Sequence, residues 1–132
     1  MKELPGILEV FDAVEVLQSY CYGVADKAGW WVSPKTGEDT RDNPMNFSQK
    51  LMLIVSEVAE AMEGDRKNLM DDKLLHRPMR EVELADALIR ICDLAGGYGM
   101  DLAGATVEKL EYNARREDHK WETRSAVGGK AY

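Results

Sequence analysis

Four carboxylates stand at spacings that suit the binding of a hard cation. Glu57 and Glu60 lie in Glu57-Val58-Ala59-Glu60, and Glu83 and Asp86 lie in Glu83-Leu84-Ala85-Asp86. Residues three apart on a helix project from nearly the same face, so each phrase offers a pair of oxygen donors. Arg90 and Asp93 continue the second stripe, and Arg90 is expected to pair with Asp86 or Asp93 or to touch a phosphate. The neighbours of these acids are apolar: Leu51 to Val55 before the first phrase, and Ala87, Leu88, Ile89, Ile91, Cys92 and Leu94 after the second. A helix apolar nearly all round is normally buried. Buried carboxylates that face one another resist ionising unless a cation holds them. The plainer alternative is the solvated face of two amphipathic helices, and the apolar setting and the repeated phrase count against it.

The whole chain narrows the possibilities. Its 132 residues suffice for one domain with a core of its own. An apolar fraction of 45% beside 31% charged residues is globular rather than disordered composition. A net charge of −7 argues against a nucleic-acid polymer as partner. It does not argue against a small anionic ligand, because bound divalent cations invert the local charge. Cys21 and Cys92 have no metal-type spacing and read as small buried hydrophobes of a reducing compartment. Glu9, Asp12 and Glu15 interrupt the early apolar residues, so no signal peptide or membrane span is expected, and a cytoplasmic location follows.

The elements that must position the acids can be read in order. Ile7, Val10, Val14, Leu17, Cys21, Val24 and Ala28 form a seam of alternating three- and four-residue steps, closed by Gly29. A loop then runs to Pro44, marked by Ser33-Pro34, Thr36-Gly37 and Asn43-Pro44. The second helix starts at Asn43 or Asn46 as cap and carries the first acidic phrase towards Gly64. A charged connector leads to Arg77-Pro78, which opens the third helix with the second phrase. Gly96-Gly97-Tyr98-Gly99 reads as its terminator, since a phosphate loop would follow a strand. Asp101 caps a fourth helix whose end is basic and polar, with Lys109, Asn113, Arg115 and Arg116. The fold class is all-α, a four-helix bundle-like arrangement, with a helical core over about 5–118 and an irregular tail over 119–132.

Trp30 and Trp31 open the loop. Adjacent tryptophans before a polar segment form either a lid over the core or a stacking surface for a planar base. At the other end of the chain, cations in a last helical turn suit the helix dipole, and equally suit phosphate.

Glu-x-x-His ligand pairs of the di-iron type are absent, because Lys73 and Arg116 stand three residues before His76 and His119. An all-carboxylate set instead suits Mg²⁺, with Mn²⁺ as substitute. Mg²⁺ commonly shares its coordination with substrate phosphates, so a phosphate ester or anhydride is the expected substrate.

At this point the motifs carry a resemblance. Glu57-x-x-Glu60 followed after twenty-two residues by Glu83-x-x-Asp86, and then by Lys109-x-x-x-Asn113-x-x-Arg116, resembles the signature of the MazG-like all-α nucleoside triphosphate pyrophosphohydrolases. The likeness covers about residues 46–119, within one MazG-like domain over 1–132. It implies that Glu57, Glu60, Glu83 and Asp86 bind Mg²⁺ and form the catalytic set, and that Lys109 and Asn113 reach the phosphates. Arg116 could steady the leaving pyrophosphate. It also implies hydrolysis of (d)NTP to (d)NMP and diphosphate by a homodimer or homotetramer. Two departures stand out. Ser56 precedes Glu57 where relatives often carry a second acid, and Gly128-Gly129-Lys130 lies later than the basic tail of many relatives. The competing function is a non-catalytic helical module that binds a cation or nucleotide.

Overall fold

The computed structural model describes residues 3–132. Five α-helices account for the regular structure: α1 over Ile7–Lys27, α2 over Asn46–Lys67, α3 over Met79–Gly97, α4 over Leu102–Arg115 and α5 over Trp121–Arg124. Single 3₁₀ turns lie at Thr40–Asp42 and Glu117–His119. Among the described residues there is no strand; two isolated bridges, Val32 with Asp39 and Met70 with Pro78, close the loops before α2 and α3. The all-α expectation therefore holds. The tail is less irregular than expected, because residues 121–124 wind into one helical turn.

The residues group into two compact units. One takes those up to Glu15 with Asp101–Tyr132, and the other is Val16–Met100. The second contains both acidic phrases.

Within that unit, α2 and α3 pack against each other. Ala61 and Gly64 of α2, and Ala87, Leu94 and Ala95 of α3, are buried. A methyl group added at Gly64 would press on Met79 at the start of α3, so this contact depends on having no side chain. α2 stops at Asn68, which takes the left-handed conformation (φ 52°) and returns its N–H to the Asp65 and Gly64 carbonyls. Asp71 shapes the connector that follows. It is buried, and its carboxylate accepts the N–H groups of Lys73 and Leu74 at 2.9 and 2.7 Å.

Neither expected asparagine cap works through its side chain at the start of α2. Asn43 Oδ1 accepts the Met45 N–H at 3.0 Å, outside the helix, while the Asn46 amide donates to Tyr98 Oη at 2.9 Å. Tertiary pairing has claimed the group that sequence logic assigned to the helix end.

α3 ends inside the glycine cluster as expected, and two of its glycines also serve packing. The helix runs through Gly96 and Gly97. Side chains there would collide with the Tyr22 and Trp31 rings respectively, so both glycines serve close approach. Only Gly99, at φ 61°, supplies a left-handed turn.

Trp31 is the centre of this unit and is 1% exposed. Its indole Nε1 donates to Asp93 Oδ1 at 2.8 Å, and Tyr22 and Tyr98 meet it edge-on at 5.9 and 5.8 Å. Arg41 covers the ring at 5.0 Å and donates to the Gly97 carbonyl at 2.8 Å. The polar loop is thus tied to the core through one arginine.

Candidate functional site

α2 and α3 bring three of the four expected carboxylates together. Ligand oxygens of Glu57, Glu60 and Glu83 all lie within 4.8 Å of one another. Glu57 is buried, Glu83 half-buried and Glu60 exposed, so the cluster grades from interior to surface. The spacing explains the geometry. Glu57 and Glu60 are one turn apart on α2, and Glu83 reaches them from the first turns of the helix packed alongside. Asp86, the fourth expected ligand, falls outside this trio but lines the same cavity as Glu57.

Arg90 pairs with neither Asp86 nor Asp93. Its Nε donates to Glu57 Oε1 at 2.7 Å. The carboxylate facing it from α2 is closer than its own helix neighbours, which corrects the expected pairing.

The charges in the cluster are unevenly shared. Burial raises the Glu83 carboxyl to about 7, helped by its hydrogen bond to Glu57 and by repulsion from Glu60, Glu57 and Asp86. Burial works to raise Glu57 as well, but Arg90 and the hydrogen bond to Glu83 outweigh it and hold Glu57 below the ordinary glutamate value. Asp86 is raised, first by burial and then by Glu57. Below about pH 7 and without a cation, Glu83 therefore holds a proton.

A cavity of about 810 Å³ opens beside these residues, large enough for a nucleotide-sized ligand. Leu17, Val24, Leu53 and Ile89 give it apolar walls, and Glu57, Asp86, Arg90, Asp93 and Lys50 supply the polar positions. Trp30 also lines it and is 72% exposed. The two tryptophans differ sharply in exposure. Trp31 is the lid and core residue, with its ring covered, and is removed from the stacking set. Trp30 has a face free for a planar group.

Lys109, Asn113 and Arg116 belong to the other compact unit. Lys109 is exposed, with its ammonium 4.8 Å from the centre of the Tyr112 ring. Asn113 holds a buried Oδ1 with no hydrogen-bond partner among the described residues. Arg116 is engaged by Asp118 through two hydrogen bonds, Nε to Oδ1 at 3.0 Å and Nη2 to Oδ2 at 2.7 Å. Lys130 reaches the same carboxylate at 2.6 Å. The late Gly128-Gly129-Lys130 segment is therefore tied to Arg116 through Asp118.

Lys50 escaped the sequence reading, although it stands seven residues before Glu57. Two helical turns place it on the same face of α2, and that spacing was the available signal. Cys21 and Cys92 are buried as expected, and burial raises both thiols.

No helix of the described residues is long and apolar enough to cross a membrane. Comparison with protein-family models, curated proteins and solved structures finds no match for this chain.

Proposed function

We propose that this protein is a Mg²⁺-dependent nucleoside triphosphate pyrophosphohydrolase of the cytoplasm, converting (d)NTP and water to (d)NMP and diphosphate. The observation that carries the reading is the convergence of Glu57, Glu60 and Glu83 within 4.8 Å, beside a cavity of about 810 Å³. The donor set fits the ion. All three groups are hard carboxylate oxygens, and the proton retained near Glu83 marks negative charge in excess of what Arg90 offsets. The bound cation would supply a water of lowered pKa and offset charge on the phosphates.

Each residue then has a distinct task. Glu57, favoured in its charged form by Arg90, and Glu60, open to solvent, would hold the cation together with Glu83. The Glu83 carboxyl would release its proton on binding. Asp86, at the cavity wall, is the carboxylate free to take a proton from the attacking water. Trp30 offers a stacking face for the base.

Self-association belongs to this reading. Met52, Val55, Val58 and Met62 of α2 and Leu84, Leu88 and Ile91 of α3 are 38–60% exposed. So many exposed apolar side chains on two paired helices fit a homodimer or homotetramer.

The test is direct: incubation with mixed (d)NTPs and Mg²⁺, with separate assay of diphosphate and orthophosphate. Release of diphosphate with matching monophosphate supports the reading. Orthophosphate release, or no product from any triphosphate in a wide panel, overturns it.

A further inference from the structure

Lys50 is held as a fixed positive charge inside the cavity. Lys50, Leu53 and Glu57 all line it, so they mark one face of α2, with Lys50 and Glu57 two turns (about 10 Å) apart along the axis. The Lys50 ammonium lies 4.2 Å from the centre of the Trp31 ring. That ring is itself immobilised by Asp93, Tyr22 and Tyr98. A flexible side chain has thereby been given one position, which costs rotamer entropy and must be offset.

Among the described residues its ammonium donates no hydrogen bond. No carboxylate among them forms an ion pair with Lys50, although Asp93 lines the same cavity. The other cation at the cavity wall, Arg90, is already engaged with Glu57. An ammonium has three donors, and the face of an indole satisfies none of them fully. Burial pushes the Lys50 ammonium below the ordinary lysine value, with Asp93 opposing and Arg90 adding to the shift. An anionic oxygen arriving in the cavity would satisfy the donors and favour the charged ammonium.

We propose that Lys50 is a substrate-binding residue that holds a phosphate oxygen of the ligand whose other contacts are made at the Glu57–Glu60–Glu83 cluster. This rests on the phosphohydrolase reading for the identity of the substrate. The two-turn separation along α2 favours an extended anion, and a polyphosphate chain is long enough to meet both groups at once.

The experiment compares the wild type with Lys50→Met, Lys50→Gln and Lys50→Arg by calorimetric titration with inorganic triphosphate and with orthophosphate, both in Mg²⁺. Thermal melts of each variant confirm folding. Lys50→Met and Lys50→Gln should each weaken triphosphate binding about tenfold or more, the loss expected for one charge-assisted hydrogen bond, while Lys50→Arg stays within a few-fold of wild type. Orthophosphate should bind weakly to all four proteins. For hydrolysis, KM should rise more than kcat falls.

Equal triphosphate affinity in wild type and folded Lys50→Met overturns the assignment, as does absence of triphosphate binding to the wild type. A loss seen with nucleotides and not with inorganic triphosphate also overturns it, placing Lys50 at the nucleoside instead. The hydrolase reading fails separately. A wild type that binds inorganic triphosphate through Lys50 yet hydrolyses no nucleotide keeps this assignment and discards the activity.

Discussion

Glu57 on α2 and Arg90 on α3 form an ion pair that links the two helices beside the acidic cluster, at 2.7 Å between Oε1 and Nε. The Glu57 side chain is 11% exposed and that of Arg90 43%, so the pair is solvated from the arginine side only. Arg90 and the hydrogen bond to Glu83 hold Glu57 below the ordinary glutamate value, while burial raises Glu83 to about 7.

Glu60→Gln and Asp86→Asn are expected to remove hydrolysis and leave the helices intact. Each keeps the side-chain shape and deletes a negative charge on which the reaction depends. Metal-linked charge stabilisation amounts to several kcal/mol, so the rate should fall at least about a hundredfold. Glu60 is exposed, and its amide removes repulsion from the cluster, so the melting temperature should hold or rise. Activity within a few-fold of wild type in both variants would reject the site.

The pH dependence of stability follows from Glu83. Its carboxyl is raised in the fold from 4.5 to about 7, so the folded protein binds this proton more tightly than the unfolded chain. Between these two values the unfolded chain has released the proton and the folded protein keeps it. Stability from this group is therefore greatest below 4.5 and declines as pH rises to about 7. Melting curves without divalent cation should show that decline, and Glu83→Gln should flatten it. Added Mg²⁺ should raise the melting temperature more above pH 7 than below, with proton release on binding. An identical pH slope in Glu83→Gln would show that the proton sits elsewhere.

The two tryptophans should separate cleanly. Trp31→Ala empties the core of this unit and should cost about 3–5 kcal/mol of stability, the range for a large aromatic cut to alanine. Trp30→Ala should leave the melting temperature nearly unchanged and weaken nucleotide binding by about 1–3 kcal/mol through lost stacking. Thermal melts and KM values for both variants check this. Normal affinity for every triphosphate in Trp30→Ala would move base recognition to other residues.

A charge placed on the exposed apolar face should break the assembly. Val55 and Leu88 are 53% and 49% exposed. Val55→Glu with Leu88→Glu should shift sedimentation from an oligomer to a folded monomer without loss of helical signal. A wild type that already sediments as a monomer at micromolar concentration would remove the basis for that assembly.

The sequence made the local features legible and left the long-range ones hidden. Apolar period and end signals located α1 to α4 within a few residues, and the i, i+3 spacing of Glu57 with Glu60 put both on one face. Which partner Arg90 chooses was not legible, because Asp86 and Asp93 are neighbours on its own helix and Glu57 is 33 residues away. The same limit hid Lys50, whose setting depends on Trp31 arriving from a distant loop. Gly96 and Gly97 looked like a stop signal, since a sequence shows the missing side chain and not the ring that fills its place.

That filling has a consequence for motion. The last turn of α3 ends in two residues with no side chains of their own, and glycine is a poor helix former. Its backbone is held down by the rings of Tyr22 and Trp31 lying across it. Amide hydrogens in that turn should therefore exchange with solvent only when Trp31 lifts away, on the schedule of the whole unit, and not by the quick fraying usual at a helix end. In hydrogen-exchange measurements Trp31→Ala should convert that turn from slow to fast exchange while the middle of α3 remains protected.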